Sequence, residues 1–190
     1  SDKIIKKRKR SEDSYAIASS EKPHGGLKPT AIVNIGGVSN VTFVRKDQKP
    51  PLAFDCGPGN ALIDDWVRLK TNGKQAYDAN GVFASKGDVD ENIINTTVFR
   101  HGKYLSRMPP KSLDRNEFST LLEAIVDKKM GLEDGAATLT KFTACCIALS
   151  SQFLEVEDIP QRWLICGGGR HNATMMQYLQ EELCSNEIFD

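Results

Sequence analysis

Residues 31–60 read AIVNIGGVSNVTFVRKDQKPPLAFDCGPGN. Ala31 to Ile35 is a short β-prone run stopped by Gly36 and Gly37, and Val41 to Val44 is a second. A hairpin is the natural connection, because glycine supplies turn conformations without a Cβ penalty. The polar segment 45–51 then leads to a third strand, Leu52 to Asp55, stopped by Gly57, Pro58 and Gly59. Asn60 follows where it can cap a helix reaching about Asn72, with Gly73 placed to end it. Leu62, Ile63, Trp66, Val67 and Lys70 recur at helical spacing on one side of that helix. The order is β-β-β-α.

Beyond Gly73 the signals are mixed, with a loop over 77–81 and a weak helical stretch from about Val89 to Phe99. Asp114 and Glu117 have the spacing of a capping box opening a helix to about Lys128, in which each side chain satisfies a backbone donor of the first turn. A longer helix is expected over Ala136 to Leu154, where Leu139, Phe142, Cys146, Leu149 and Phe153 form one apolar stripe. Arg162 to Cys166 reads as a buried strand running into Gly167, Gly168 and Gly169. Asn172 then caps a helix carrying Met176, Leu179 and Leu183, and a final strand is expected from Glu187. These elements predict an α/β fold with a mixed sheet and flanking helices.

At 190 residues the chain is within the range of one domain, about 100–200 residues. Residues 1–29 are charged and lack apolar periodicity, with six Lys or Arg between Lys3 and Arg10, and are expected to form a flexible basic and polar tail; residues 30–190 carry the ordered unit. Lys plus Arg and Asp plus Glu each total 25, so no net field favours nucleic acid or an acidic membrane. No apolar run reaches the roughly 18 residues of a membrane span, and no apolar segment follows the basic start as in a secretory signal. The five cysteines lack paired metal-ligand spacing and suit reduced thiols, so a cytoplasmic location is expected.

Three strand ends carry small or polar residues where the chain must turn: Asn34 to Gly37, Asp55 to Asn60, and Gly167 to Asn172. Taken singly, each is an ordinary α/β connection. Together they suit phosphate, because glycine permits close backbone approach and helix starts near Asn60 and Asn172 present N–H groups to an anion. Asp55, at a strand end beside such a turn, either accepts a proton from an attacking oxygen or bonds its own turn. Three such turns around one cleft suit an actin-like or ribonuclease-H-like lobe, by analogy of fold.

Four motifs in order, residues 34–40 (NIGGVSN), 54–60 (FDCGPGN), 110–115 (PKSLDR) and 166–172 (CGGGRHN), resemble those of the anhydro-N-acetylmuramic acid kinase family, and the similarity runs from about Ala31 to Asp190. The resemblance implies one lobe of an actin-like sugar-kinase fold and a bacterial enzyme of peptidoglycan recycling. It implies ATP with Mg²⁺, and transfer of a phosphoryl group to the 6-oxygen of 1,6-anhydro-N-acetylmuramic acid while water opens the anhydro ring at carbon 1. By that resemblance Asp55 activates the water. Asn34, Gly36, Gly37 and Asn40 lie near the phosphates, and Gly167, Gly168, Gly169 and Asn172 near the nucleoside. Gly57, Pro58, Gly59 and Asn60 line the sugar pocket. Lys111 and Arg115 are either cations for its carboxylate or for phosphate, or ordinary surface residues at a helix start. No protein metal cluster is expected; the metal arrives with ATP.

The family pattern also contains an N-terminal loop that grips the terminal phosphate, and a C-terminal Asn-Gly-Asp segment. Neither is found in these 190 residues, so the chain is expected to be an incomplete and inactive part that forms a homodimer or is completed by a missing segment. Cys56 stands where the family more often has threonine. Two other readings stay open: a non-catalytic nucleotide-binding or interaction protein, and a different actin-like sugar kinase.

Overall fold

The computed structural model of the chain describes residues 5–6, 15–18, 28–47, 49–114 and 116–185. Its strands are β1 (Ile5–Lys6), β2 (Tyr15–Ala18), β3 (Thr30–Ile35), β4 (Val38–Val44), β5 (Leu52–Pro58) and β6 (Arg162–Cys166). They form one sheet in the order β1-β2-β6-β3-β4-β5. β3 and β6 are parallel and the remaining pairs antiparallel, so the sheet is mixed, as expected. Most of the expected tail over 1–29 falls outside the described residues, and its two described pieces, β1 and β2, continue the sheet beyond β6. The strand expected from Glu187 also lies outside them.

A parallel pair needs a long crossover. Residues 61–161 provide it through α1 (Ala61–Lys70), α2 (Glu91–Arg100), α3 (Gly102–Leu105), α4 (Ser119–Asp127) and α5 (Leu132–Leu149), and α6 (Ala173–Ser185) follows β6. Strand alternation decides which face those helices cover. Ala31, Val33 and Ile35 of β3, Val41 and Phe43 of β4, Phe54 of β5 and Trp163 and Ile165 of β6 are buried on one face. Ile32 is 39% exposed on the other. α5 packs against β4 and β5 on the buried face and against α1 and α6 at its flanks. That position explains a composition apolar nearly all round, with Ala136, Ala137, Leu139, Phe142, Ala144, Cys146 and Ile147 all buried.

The hairpin β3–β4, the strand β5, the helix α1 and the strand β6 form where the sequence places them, but β4 starts at Val38 rather than Val41 and β5 runs through the expected glycine stop to Pro58, because both ends pair with each other. Other boundaries move as well. The long helix starts at Leu132, four residues early, with Glu133 and Asp134 favouring its positive N-terminal end. It stops at Leu149, because the Ser150 and Ser151 hydroxyls bond to the Ile147 and Ala148 carbonyls and tighten the chain into the turn Ser150–Phe153. No capping box forms at Asp114: its carboxylate accepts the Asn116 N–H in a local turn, and α4 begins only at Ser119. The delay seats Phe118 among His101, Tyr104 and Phe142. The weak stretch near Val89 is α2, capped by Asp90, whose side chain accepts the Ile93 N–H at 3.1 Å.

Among the described residues no helix is long and apolar enough to cross a membrane. The packing predicts a sharp contrast between two phenylalanines. Phe142→Ala, at a fully buried ring of α5, should lower the unfolding free energy by about 3–5 kcal/mol. Phe99→Ala, at a ring 86% exposed, should change it by less than about 0.5 kcal/mol, both read from urea denaturation midpoints at constant slope.

Candidate functional site

The three glycine turns meet around Ile35 and Gly36. Gly59 N–H donates to the Gly37 carbonyl at 3.0 Å, Asn60 N–H to Gly36 at 2.7 Å, and Ala61 N–H to Gly37 at 3.3 Å. A Cβ on Gly59 would stand 2.1 Å from the Gly36 carbonyl oxygen, so no other residue permits this approach. From the opposite side Gly167, at φ 79°, brings the third turn against Asn34 and the Ile35 carbonyl. Asn60 sits between all three. Its amide donates to the Ile35 carbonyl at 3.4 Å. That contact corrects the expected cap: Asn60 has helical dihedrals and makes no side-chain capping bond. At this helix start, expected to meet an anion, the N–H groups of Asn60 and Ala61 are taken up by the neighbouring turn.

On the sheet face turned away from α5, the register aligns four residues from four adjacent strands. Asn34 is opposite Cys166 on β6 and Asn40 on β4, and Asn40 is opposite Asp55 on β5. Directly opposed residues share a face, so Cys166, Asn34, Asn40 and Asp55 form one polar row at the glycine-turn end of the strands. An irregularity follows the row: Asn40 opposes Asp55 in the same register as the pairs before it, whereas Ser39 opposes Gly57, which leaves Cys56 as the extra residue. Here Asp55 stays half-exposed in the row while Cys56 turns into the core.

Asp55 is held by a single neighbouring segment along the free edge of β5. Leu113 N–H donates to its Oδ2 at 2.9 Å, the Tyr104 hydroxyl donates to its carbonyl at 2.8 Å, and its own N–H donates to the Lys111 carbonyl at 3.3 Å. The carboxylate therefore has one fixed orientation rather than bonding its own turn. Lys111 departs from expectation. Its ammonium points inward, donating to the carbonyls of Tyr104 at 3.1 Å and Leu105 at 2.9 Å, within 5.3 Å of the ring centres of Phe54, Tyr104 and Phe153. Burial pushes its pKa down. The residue is only 7% exposed, and its ammonium faces the carbonyls of its own segment rather than the open face where a ligand anion was expected. Arg115 lies outside the described residues.

Beyond the strand ends a cavity of about 500 Å³ opens between the start of α1, the 77–81 loop and the third glycine turn. Asn60, Gly168 and Asn172 line it, as do Asp64, Tyr77, Asn80 and His171. Asn172 caps α6 as expected, accepting the Met175 N–H at 2.9 Å. Gly57, Pro58 and Gly59 are buried in the turn, with Thr143 donating to the Gly59 carbonyl and Ser39 to that of Pro58. Sequence reading missed Asp64, Tyr77 and Asn80. The one signal was the run of turn-forming residues at 78–81. Asp78 makes it a rigid wall, accepting the N–H groups of Phe83 and Ala84, and Thr174 ties the Gly81 carbonyl to α6. Among the described residues no group of metal-ligating side chains gathers.

Comparison with known proteins agrees with the geometry. The family profile for anhydro-N-acetylmuramic acid kinase matches residues 24–189. The chain is 43% identical over 155 residues to a protein of that name from Zymomonas mobilis, covering 82% of this chain and 40% of the relative. It is 43% identical over 159 residues to one from Rhodospirillum rubrum, covering 84% and 40%. It is 41% identical over 173 residues to one from Bradyrhizobium diazoefficiens, covering 91% and 43%. The chain thus spans about two fifths of the length of the curated relatives it matches. An α/β lobe of the sugar-kinase type, with its glycine turns gathered at one end of a mixed sheet, belongs to the anhydro-N-acetylmuramic acid kinase family.

Proposed function

We propose that this chain forms one side of the cleft of an ATP-dependent anhydro-N-acetylmuramic acid kinase and that Asp55 is its general base. The observation that carries this reading is the in-register row of Asn34, Asn40 and Asp55 beside two interlocked glycine turns. The row puts a proton acceptor and amide hydrogen-bonding groups on one face, within a few strand spacings of each other.

In the proposed reaction the oxygen of water attacks carbon 1 of the anhydro sugar, and the bond from carbon 1 to the 6-oxygen breaks. The 6-oxygen takes the γ-phosphoryl group as the bond from phosphorus to ADP breaks, and the water proton passes to Asp55. A carboxylate locked by Leu113 N–H suits proton abstraction, because general bases act through geometry before pKa. In this reading the turns at Asn34 to Asn40 and Gly167 to Asn172 border the phosphates and nucleoside, and Asn60 lines the sugar pocket. Mg²⁺ keeps much of its water and binds chiefly through nucleotide phosphates. The polar row fits that habit: among the described residues it offers amide groups and the carboxylate of Asp55 rather than a protein cage for the ion. Phosphoryl transfer needs charge stabilisation from both sides of the nucleotide. The relatives' additional length is the proposed source of the opposing side.

These 190 residues alone should form N-acetylmuramic acid 6-phosphate at least about 10³-fold more slowly than the same chain joined to the flanking segments of the Zymomonas mobilis relative. Product is followed by mass spectrometry with coupled ADP release. Comparable turnover by the chain alone would refute the split-cleft reading, and ATP binding with no turnover in either form would favour a nucleotide-binding protein. In the completed chain, Asp55→Asn should lower kcat by about 10²–10⁴-fold. Unchanged kcat would remove Asp55 as the base.

A further inference from the structure

We propose that Lys111 and Tyr104 are positioning residues for Asp55, acting through the edge segment 104–113 that sets the direction of its carboxylate. The inference rests on Asp55 being the base. It adds that the base is aimed by a buried ammonium that never meets the substrate.

Every bond described above to Asp55 from outside its own sheet comes from this segment. Leu113 holds Oδ2, Tyr104 the carbonyl, and Lys111 the backbone N–H. The segment is not a regular strand along β5, so no ladder of repeating hydrogen bonds keeps it in register. Lys111 takes over that task. Its backbone carbonyl receives Asp55, while its ammonium reaches back to the carbonyls of Tyr104 and Leu105 and closes the segment into a loop. Gln152 braces the Leu105 carbonyl from the turn after α5 at 3.3 Å. Phe54, Tyr104 and Phe153 wall the ammonium, and Phe54 is the residue before Asp55 on β5.

Stability alone does not explain a lysine here. Taking an ammonium out of water is costly, and an apolar side chain of similar length would fill three aromatic walls without that cost. What an apolar residue lacks is directional donation to two chosen carbonyls. The ammonium therefore fixes the course of the segment, and through it the Leu113 N–H that aims the carboxylate.

The test compares Lys111→Met, which keeps the length of the side chain and removes its donors, with Tyr104→Phe, which removes one hydroxyl. In the 190-residue chain, both should retain the unfolding midpoint within a few degrees while amide hydrogen exchange at Asp55 and Leu113 speeds up by about tenfold and that at Val33 stays constant. In the chain joined to the Zymomonas mobilis flanking segments, kcat should fall by about 10–10²-fold with KM within about twofold, as expected for misaiming a base already in place. Unchanged exchange at Asp55 and Leu113 in the folded variants would overturn the proposal, as would faster exchange with unchanged kcat. Should Lys111→Met not fold, Tyr104→Phe carries the same test with almost no change of volume. Full activity in Asp55→Asn is a separate result that removes the base, and with it the purpose of the positioning segment, whatever the exchange rates show.

Discussion

The contact between two glycine turns is the constraint on which the remaining geometry depends. Where Gly59 passes the Gly36 carbonyl there is no room for a Cβ, and the three N–H groups of Gly59, Asn60 and Ala61 all donate across the gap. Buried backbone donors must be satisfied, so once the turns touch, this pairing is the one that leaves none of the three unpaired. It joins the end of β3 to the start of α1. The direction of α1, the seating of its Trp66 against α5, and the end of β5 that carries Asp55 all follow from that junction.

The sheet then separates two tasks. One face carries the apolar load, with Phe43 meeting Trp163 and Phe54 meeting Phe153 edge to face and with α5 seated behind β4 and β5. The other face is relieved of packing at its turn end and presents the row of Cys166, Asn34, Asn40 and Asp55. Because side chains alternate along a strand, moving one strand by a single residue would exchange the two faces. The polar row across four strands is therefore held by the same register that buries the core.

Much of this was legible. Periodicity and turn signals located β3, β4, β5, β6 and α1, although β5 runs on through Gly57 and Pro58 because both pair with β4. The convergence of the three turns was also readable from their order along the chain. What local pattern could not supply was competition from distant groups. Asn60 looked like a helix cap, but the Ile35 carbonyl, 25 residues earlier, claims its amide. Lys111 looked like a ligand cation because sequence does not show that Phe54, Tyr104 and Phe153 enclose it. Asp114 and Glu117 had capping spacing, yet seating Phe118 in the core sets the start of α4. Tertiary demand overrode a sound local signal in each case.

Cys56 shows how a departure from the family pattern can leave the site intact. Next to Asp55 in the polar row, Cys56 alternates to the other face and enters the core, where it is 2% exposed. Its thiol donates to the Ser39 carbonyl at 3.4 Å. Burial pushes its pKa up to about 12, so it stays a protonated, neutral donor throughout the physiological range. A threonine hydroxyl is similar in size and could make the same donation. The exchange therefore replaces one short hydrogen-bonding side chain with another on the face opposite the carboxylate, and strand alternation together with the edge segment that holds Asp55, not the identity of residue 56, keeps the carboxylate on the open face.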